Sequence, residues 1–325
     1  MITRRIALLS TAGLALAGQA RAQAFPDRPV RMVVAFPPGG NVDFTARLIQ
    51  PAMSQALGQQ IVVENRAGAG GIVGTESVVR ARPDGYTTLI TGTAPVSIFP
   101  VAMDRLPYDP LKDLAPVGMA YRVPVVVMVK KDLPVQTLAD LVALSKRTQG
   151  GLSAGTAGIG SGAHLAIELF NAGSGAGIVH IPYRGTGPAL NDLIAGTIPV
   201  VFDQLSSALQ LHADGRARIL GIASAQRSPL IPDVQTLREA AIVEPEITTT
   251  VGVLAPAGTP TEVIGKLRDS LVAAMADGTV RQRLTELGAW IPPANQVTPA
   301  NYGAVIREEM EINARAARLG NIKLE

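Results

Sequence analysis

The chain has 325 residues, with 29 basic against 26 acidic side chains and no cysteine. Charge this close to balance lacks the electrostatic footprint of a nucleic-acid binder. The absence of cysteine excludes disulfides, thiolate metal sites and cysteine nucleophiles, so stability must come from a core, which at this length is usually divided between domains.

Residues 1–22 read as a signal peptide. Arg4 and Arg5 form a positive start, Ile6 to Ala17 an apolar run short for a membrane span, and Ala20-Arg21-Ala22 a small-x-small cleavage pattern. The expected mature start is near Gln23 and the expected location is the periplasm. Arg4-Arg5 also fits a twin-arginine signal without its usual continuation, so Sec and Tat export both stay open. Removing the leader takes Arg4, Arg5 and Arg21 away, which leaves 26 basic against 26 acidic residues. No later apolar run reaches membrane-spanning length.

Beyond the leader, strands and helices alternate. Arg31 to Phe36 reads as a strand. Leu48, Ile49, Ala52, Met53, Ala56 and Leu57 form a helical stripe that Gly58 should end, and Pro51 within it should kink or restart the helix. Ile61 to Val63 is the next strand. A glycine-rich turn leads to a helix at Thr75 to Ala81, and Pro83-Asp84-Gly85 turns into a strand, Tyr86 to Thr91. Val123 to Val129 is almost continuously apolar, the pattern of a parallel strand covered on both faces. Then come a helix at Thr137 to Ser145, a strand at Leu152 to Ala154, a helix at Gly162 to Phe170, a strand at Ile178 to Ile181 and a helix at Pro188 to Ala195. Pro199 to Phe202, Ile219 to Ala223 and Val251 to Leu254 are further strands. Glu262 to Ala276, Val280 to Leu287 and Ala300 to Arg318 close the chain as helices. This alternation implies an α/β fold with parallel strands, in which ligands bind where a strand ends and the next helix begins.

Three loops at such points have the chemistry of an anion site. The first is Phe36-Pro37-Pro38-Gly39-Gly40-Asn41-Val42-Asp43. Its glycines let the backbone approach a ligand, and the free N–H groups of the coming helix favour a negative charge; Asp43 reads as the N-cap. A plain tight turn would explain one such loop as well. The second, Thr156-Ala157-Gly158-Ile159-Gly160-Ser161-Gly162, enters the helix that carries His164 and offers two hydroxyls, with Ser161 a credible cap. The third, Tyr183-Arg184-Gly185-Thr186-Gly187-Pro188, has the same form, with Pro188 at the helix start. Together the three imply a shared cleft. Asp203 follows the strand residues Val200-Val201-Phe202, where it either receives a ligand group or caps the next helix. His164 either donates to a ligand or simply packs; His180, in an apolar strand, reads as structural.

Other motifs point elsewhere and are weaker. Gly68 to Gly74 imitates a dinucleotide fingerprint, but Glu64-Asn65-Arg66 separates it from its strand. Gly151-Leu152-Ser153-Ala154-Gly155 matches a hydrolase nucleophile elbow, and Asp203 and His212 follow in order. A secreted serine hydrolase using Ser153 is therefore the alternative function, although an elbow needs an immediate helix and a glycine loop follows here. The three histidines lack metal-ligand spacing, so neither metal nor cofactor is expected.

Several stretches, read in order, resemble the Bug family, the periplasmic solute-binding components of tripartite tricarboxylate transporters. They are Pro29 to Leu48 (PVRMVVAFPPGGNVDFTARL), Ile61 to Gly74 (IVVENRAGAGGIVG), Pro83 to Tyr86 (PDGY), Leu106 to Pro116 (LPYDPLKDLAP), Ile181 to Asp203 (IPYRGTGPALNDLIAGTIPVVFD) and Val253 to Pro260 (VLAPAGTP). The resemblance spans essentially the whole mature chain. It implies a type II periplasmic-binding fold, with two α/β lobes, a ligand cleft and two crossover strands near Tyr121 and Thr250. Lobe one would comprise 23–122 plus 251–325, and lobe two 123–250. It also implies a monomeric, non-enzymatic receptor. Such a receptor captures a small carboxylate (mono- or dicarboxylic, aromatic or amino acid) for permease subunits or for a sensor domain. The implied ligand contacts are Pro38, Gly39, Gly40, Asn41, Val42, Asp43 and Thr93 in lobe one, and Thr156, Ser161, Gly162, Gly185, Thr186 and Asp203 in lobe two. The chain departs from the family pattern at Thr248 to Thr250 and at Asn313, where tryptophans are frequent, and at Asn41-Val42, where small residues are.

Overall fold

The structure, a computed structural model, describes residues 25–243, 246–320 and 322–324. The signal-peptide reading of residues 1–22 lies outside them. The chain opens with β1 (Val30–Val34), α1 (Asn41–Leu57), β2 (Ile61–Asn65), α2 (Ile72–Val79) and β3 (Thr87–Thr91). Two short helices, α3 (Phe99–Ala102) and α4 (Pro110–Asp113), precede the long β4 (Leu114–Lys130). α5 (Leu138–Arg147), β5 (Ser153–Thr156), α6 (Gly162–Ser174), β6 (Val179–Pro182), α7 (Thr186–Ala195), β7 (Val200–Gln204), α8 (Leu205–Ala213) and β8 (Ala217–Ile222) follow. β9 (Thr248–Pro256), α9 (Thr261–Ala276), α10 (Gly278–Glu286) and α11 (Pro299–Leu319) end the chain.

Local chemistry accounts for most of these limits. Thr137 caps α5 reciprocally with Asp140, and Gly58 ends α1 in the left-handed region at φ 70°. α1 runs on through Pro51, which is exposed, so the expected restart does not occur. The opposite face of α1 buries Ala46, Ile49 and Met53 in one cluster with Ile264, Leu267 and Leu271 of α9. Full burial of Ile49, Met53, Leu267 and Leu271 contributes about 1.5–3 kcal/mol each, which outweighs a missing backbone bond on the wet side.

The strands form two halves with one topology. In the first, the order is β2-β1-β3-β9-β4, and in the second it is β6-β5-β7-β4-β8. Each half sets three parallel strands beside an antiparallel crossing strand, which is β9 in the first and β4 in the second. β4 and β9 pair with each other from Leu114↔Pro256 to Pro124↔Thr248, and so tie the halves together. This corrects the reading of Val123 to Val129 as a parallel strand. The segment is buried on both faces, but it runs against β7, β8 and β9. A continuous apolar run reports two-sided burial; it says nothing about direction.

α11 also spans the two halves. Tyr302, Val305 and Ile306 pack with Val33, Leu89 and Leu254, whereas Ala316 and Ala317 join the cluster of Leu165, Leu169 and Phe170. Two of the departures from the resembled family, at Thr250 and Asn313, lie in one hydrogen-bond network. Thr250 N–H donates to Thr93 Oγ1 at 2.8 Å, and Thr250 Oγ1 donates to Glu309. Ser97 Oγ reaches the other Glu309 oxygen at 3.0 Å, and Asn313 Nδ2 donates to Ser97 O at 3.2 Å. Burial raises the Glu309 pKa to about 7, against bonds from Thr250 and Ser97. The glycines of Gly68 to Gly74 serve packing: a Cβ on Gly70 would lie 2.6 Å from the Phe99 ring, and one on Gly74 would lie 2.6 Å from Arg66 O.

Candidate functional site

The three glycine loops lead to helix starts of two kinds. α1 begins from Gly40 in extended backbone (φ −77°, ψ 168°), and α7 begins from Gly185 (φ 104°, ψ 170°); neither has a side-chain cap. First-turn N–H groups have no intrahelical acceptor and form the positive end of the helix dipole. At α1 and α7 they stay uncapped. α6 differs, because its N-cap Ser161 accepts from His164 N–H at 3.2 Å and donates to Gly158 O at 2.8 Å. Pro188, expected at the start of α7, is the third residue of that helix, behind Thr186 and Gly187.

Asp43 is likewise not the N-cap; it is the third residue of α1. Its carboxylate reaches back to Gly39 N–H at 2.9 Å and accepts from Asn65 Nδ2 at 2.8 Å and Arg47 Nε at 3.1 Å. Burial works to raise its pKa, but the bonds from Arg47, Gly39 and Asn65 prevail and hold the carboxyl below the usual range. The charge thus shapes the loop, with Gly39 at φ 81° supplying the left-handed turn. Asp203 at the end of β7 is in the opposite state. It is 3% exposed, and accepts from Thr186 Oγ1 at 3.2 Å and Ser207 Oγ at 2.6 Å. Burial pushes its pKa up, only partly countered by Ser207, the Gln204 N–H and Thr186.

Tertiary contacts bring these loops together. Asn41 Nδ2 donates to Gln204 Oε1 at 2.9 Å, which joins the start of α1 to the end of β7. Thr186 on Asp203 attaches the start of α7 to the same strand end. Thr249 on β9 lies between the remaining pieces. A Cβ on Gly92 would come within 3.8 Å of both Val42 and Thr249, and one on Gly162 within 3.9 Å of Thr249 Oγ1. Pro38, Gly39 and Gly40 are exposed beside the α1 start.

Other expected contacts are engaged within the fold. Thr93 is buried, and its Oγ1 accepts from Thr250 N–H. Thr156 is buried, with Oγ1 2.7 Å from His180 Nε2 and accepting from Gly158 N–H at 3.1 Å. Gly185 N–H donates to Ala157 O at 3.0 Å, which binds the second loop to the third. His164 stacks on His180 with ring centroids 3.9 Å apart, and its Nδ1 accepts from Gly160 N–H at 3.3 Å. Burial lowers both imidazoles to about 4, His180 also feeling His164, so both are neutral at pH 7 and brace the second loop.

Gln204, Thr249 and Tyr121 were not singled out by sequence reasoning as cleft residues. Gln204 carried a usable signal, since it follows Asp203 at a strand end. The serine-hydrolase geometry is not assembled. Ser153 opens β5 in register with Val179, Asp203 accepts from Thr186 and Ser207, and His212 Nδ1 accepts from Ile219 N–H at 3.2 Å. Two cavities, of about 500 Å³ and about 330 Å³, flank the crossing strands around Arg122, Glu246 and Thr248, and include none of the loop residues above. The candidate site is marked by the chemistry of its uncapped helix starts and not by cavity size. Among the described residues no cluster suits a metal ion, and no helix is long and apolar enough to cross a membrane.

A two-lobed fold with helix starts converging between its halves defines a solute-binding protein. The model of the tripartite tricarboxylate transporter family receptor matches residues 45–314. Protein BugT of Bordetella pertussis is 35% identical over 100% of this chain and 99% of its own. The solved structure of MatC from Rhodopseudomonas palustris with bound malate is 33% identical, with a TM-score of 0.80 over 90% of this chain and 99% of that one. Another R. palustris protein, Rpa4515 with adipate, is 31% identical, with a TM-score of 0.83 over 92% and 99%. The chain belongs to the tripartite tricarboxylate transporter receptor family, whose members are periplasmic solute-binding proteins and not enzymes.

Proposed function

We propose that this receptor captures a small dicarboxylate between its lobes and presents it to the membrane subunits of a tripartite tricarboxylate transporter. Residues 1–22 would direct export. Lobe one would be 23–122 plus 251–325, and lobe two 123–250. One carboxylate takes the first-turn N–H groups of Asn41, Val42 and Asp43, which it reaches past Pro38, Gly39 and Gly40. The other takes the α7 start at Thr186, with Gly185 and Asp203 behind it. Ser161 and Gly162 line the side, while Thr93 and Thr156 hold the frame. The observation that carries this reading is the pair of uncapped helix starts that follow Gly40 and Gly185, one from each half, joined through Gln204 and Asp203. Each attracts an anion, and a ligand that touches both contacts more protein in the closed form, which is what drives closure. The malate and adipate held by related structures are acids of this class.

Thermal denaturation with malate, adipate, glucose and ATP tests it. A dicarboxylate at about 100 times its Kd should add about 2.7 kcal/mol of stability. Stabilisation by glucose or ATP alone would overturn the reading.

A further inference from the structure

The hydrogen bond between Asn41 and Gln204 joins side chains 163 residues apart, directly across the space between the halves. Neither end is loose. Tyr121, fully buried on β4, has its hydroxyl 3.2 Å from Asn41 Oδ1 and 2.9 Å from Thr45 Oγ1. Tyr121 O–H donates to Asn41 Oδ1, which leaves the Asn41 NH2 to donate to Gln204, while Thr45 Oγ1 donates to the Asn41 backbone carbonyl at 2.8 Å. On the other side, Ser207 Oγ lies 2.6 Å from Asp203 Oδ2 and 2.8 Å from the Gln204 carbonyl and shares its one proton between them, which anchors the backbone at the end of β7. Asp203, the neighbour of Gln204, carries Thr186 of the α7 start. The chain of contacts Asn41–Gln204–Asp203–Thr186 therefore spans from one uncapped helix start to the other.

We infer that the Asn41–Gln204 pair is a latch that limits ligand length, because it holds the starts of α1 and α7 at a fixed separation before any ligand arrives. This rests on the dicarboxylate reading above. A short diacid bridges the two helix starts beside the intact latch. A longer one must push the starts apart, and so must break a bond that is half-buried and braced at both ends. The latch also gives the ligand-free protein a share of the closed form.

Two measurements test it on the mature protein, on Asn41→Ala, on Gln204→Ala and on the double variant. In titration calorimetry with succinate, glutarate and adipate, the affinity ratio of adipate to succinate should rise about three- to tenfold in each single variant, the range of one hydrogen bond. The double variant should add nothing further, since either change removes the same bond. In small-angle scattering without ligand, each variant should show a larger radius of gyration than the wild type. An unchanged ratio in Gln204→Ala overturns the inference, and Gln204→Ala carries the test if Asn41→Ala does not fold. If the wild type binds no dicarboxylate, the functional reading fails by itself, and ligand-free scattering still decides the latch: equal radii overturn it.

Discussion

The starts of α1 and α6 look alike in sequence, each a glycine-rich loop with a polar residue, Asp43 or Ser161, that reads as the cap. The fold makes them opposites. At α1 the N-cap is Gly40, and the nearby acid turns backward to Gly39 and Asn65, so the forward N–H groups remain uncapped. At α6, Ser161 takes the His164 N–H for itself, and the loop behind it is braced by stacked imidazoles. On the proposed reading, the first start receives an anion and the second stays rigid. Anion affinity at a helix start thus depends on whether the chain has already supplied an acceptor.

The largest expected effect comes from making α1 resemble α6. Gly40 sits in extended backbone, and an added Cβ would meet only Pro37 O at 3.6 Å, so a side chain fits there. Gly40→Asp places a capping carboxylate where the ligand's should go. Dicarboxylate affinity should fall about 100-fold by calorimetry, combining a lost charge-assisted bond with repulsion, while the melting temperature holds or rises because the helix gains a cap. Retained affinity would show that the start of α1 is not where the anion binds.

The two buried acids sharpen the contrast through pH. The Asp43 pKa is lowered from its ordinary 3.8, so its stabilisation is present above that value and lost as pH falls through the lowered one. The Asp203 pKa is raised, so its contribution is fully present below 3.8 and declines as pH rises through the folded value. Asp43→Asn should cost about 1–3 kcal/mol at neutral pH and little at the acid end. Asp203→Asn should gain on the wild type as pH rises from 3.8. Denaturant melts across a pH series measure both; parallel profiles would mean that the two carboxyls share one kind of environment.

The smallest effect belongs to the reverse change. Ser161→Gly uncaps α6 and should cost only a few tenths of a kcal/mol in stability. Ligand affinity should move less than about fivefold, because one neutral bond at the side of the cleft is worth about 1 kcal/mol or less. A loss comparable with that of Gly40→Asp would place α6 among the anion-binding starts and erase the distinction.

Much of this was legible in the residues. The loops at 36–43, 156–162 and 183–188 were placed at helix starts, and the strands before them within a few residues, because glycine and cap chemistry act over one or two peptide units. The contrast between the starts was not legible. Asp43 looked like a cap until Asn65, on the neighbouring strand, fixed it as a brace. Thr249 belonged to a run noted only as a departure from the resembled family, yet it lies among Gly92, Val42 and Gly162.

By itself, the sequence determined most helices and strands to within a few residues, and which segments are covered on both faces. These follow from backbone sterics, capping groups and apolar periodicity, all of which are local. Tertiary structure alone decided strand direction and partnership. β4 runs against β7, β8 and β9 because it crosses between the halves, and an apolar run has no polarity by which to announce that. It also decided that Asn41 meets Gln204 while Ser161 meets only its own helix and the loop before it. An amide or a hydroxyl carries the same donors and acceptors wherever it stands, and packing of the two halves selects which of them is answered.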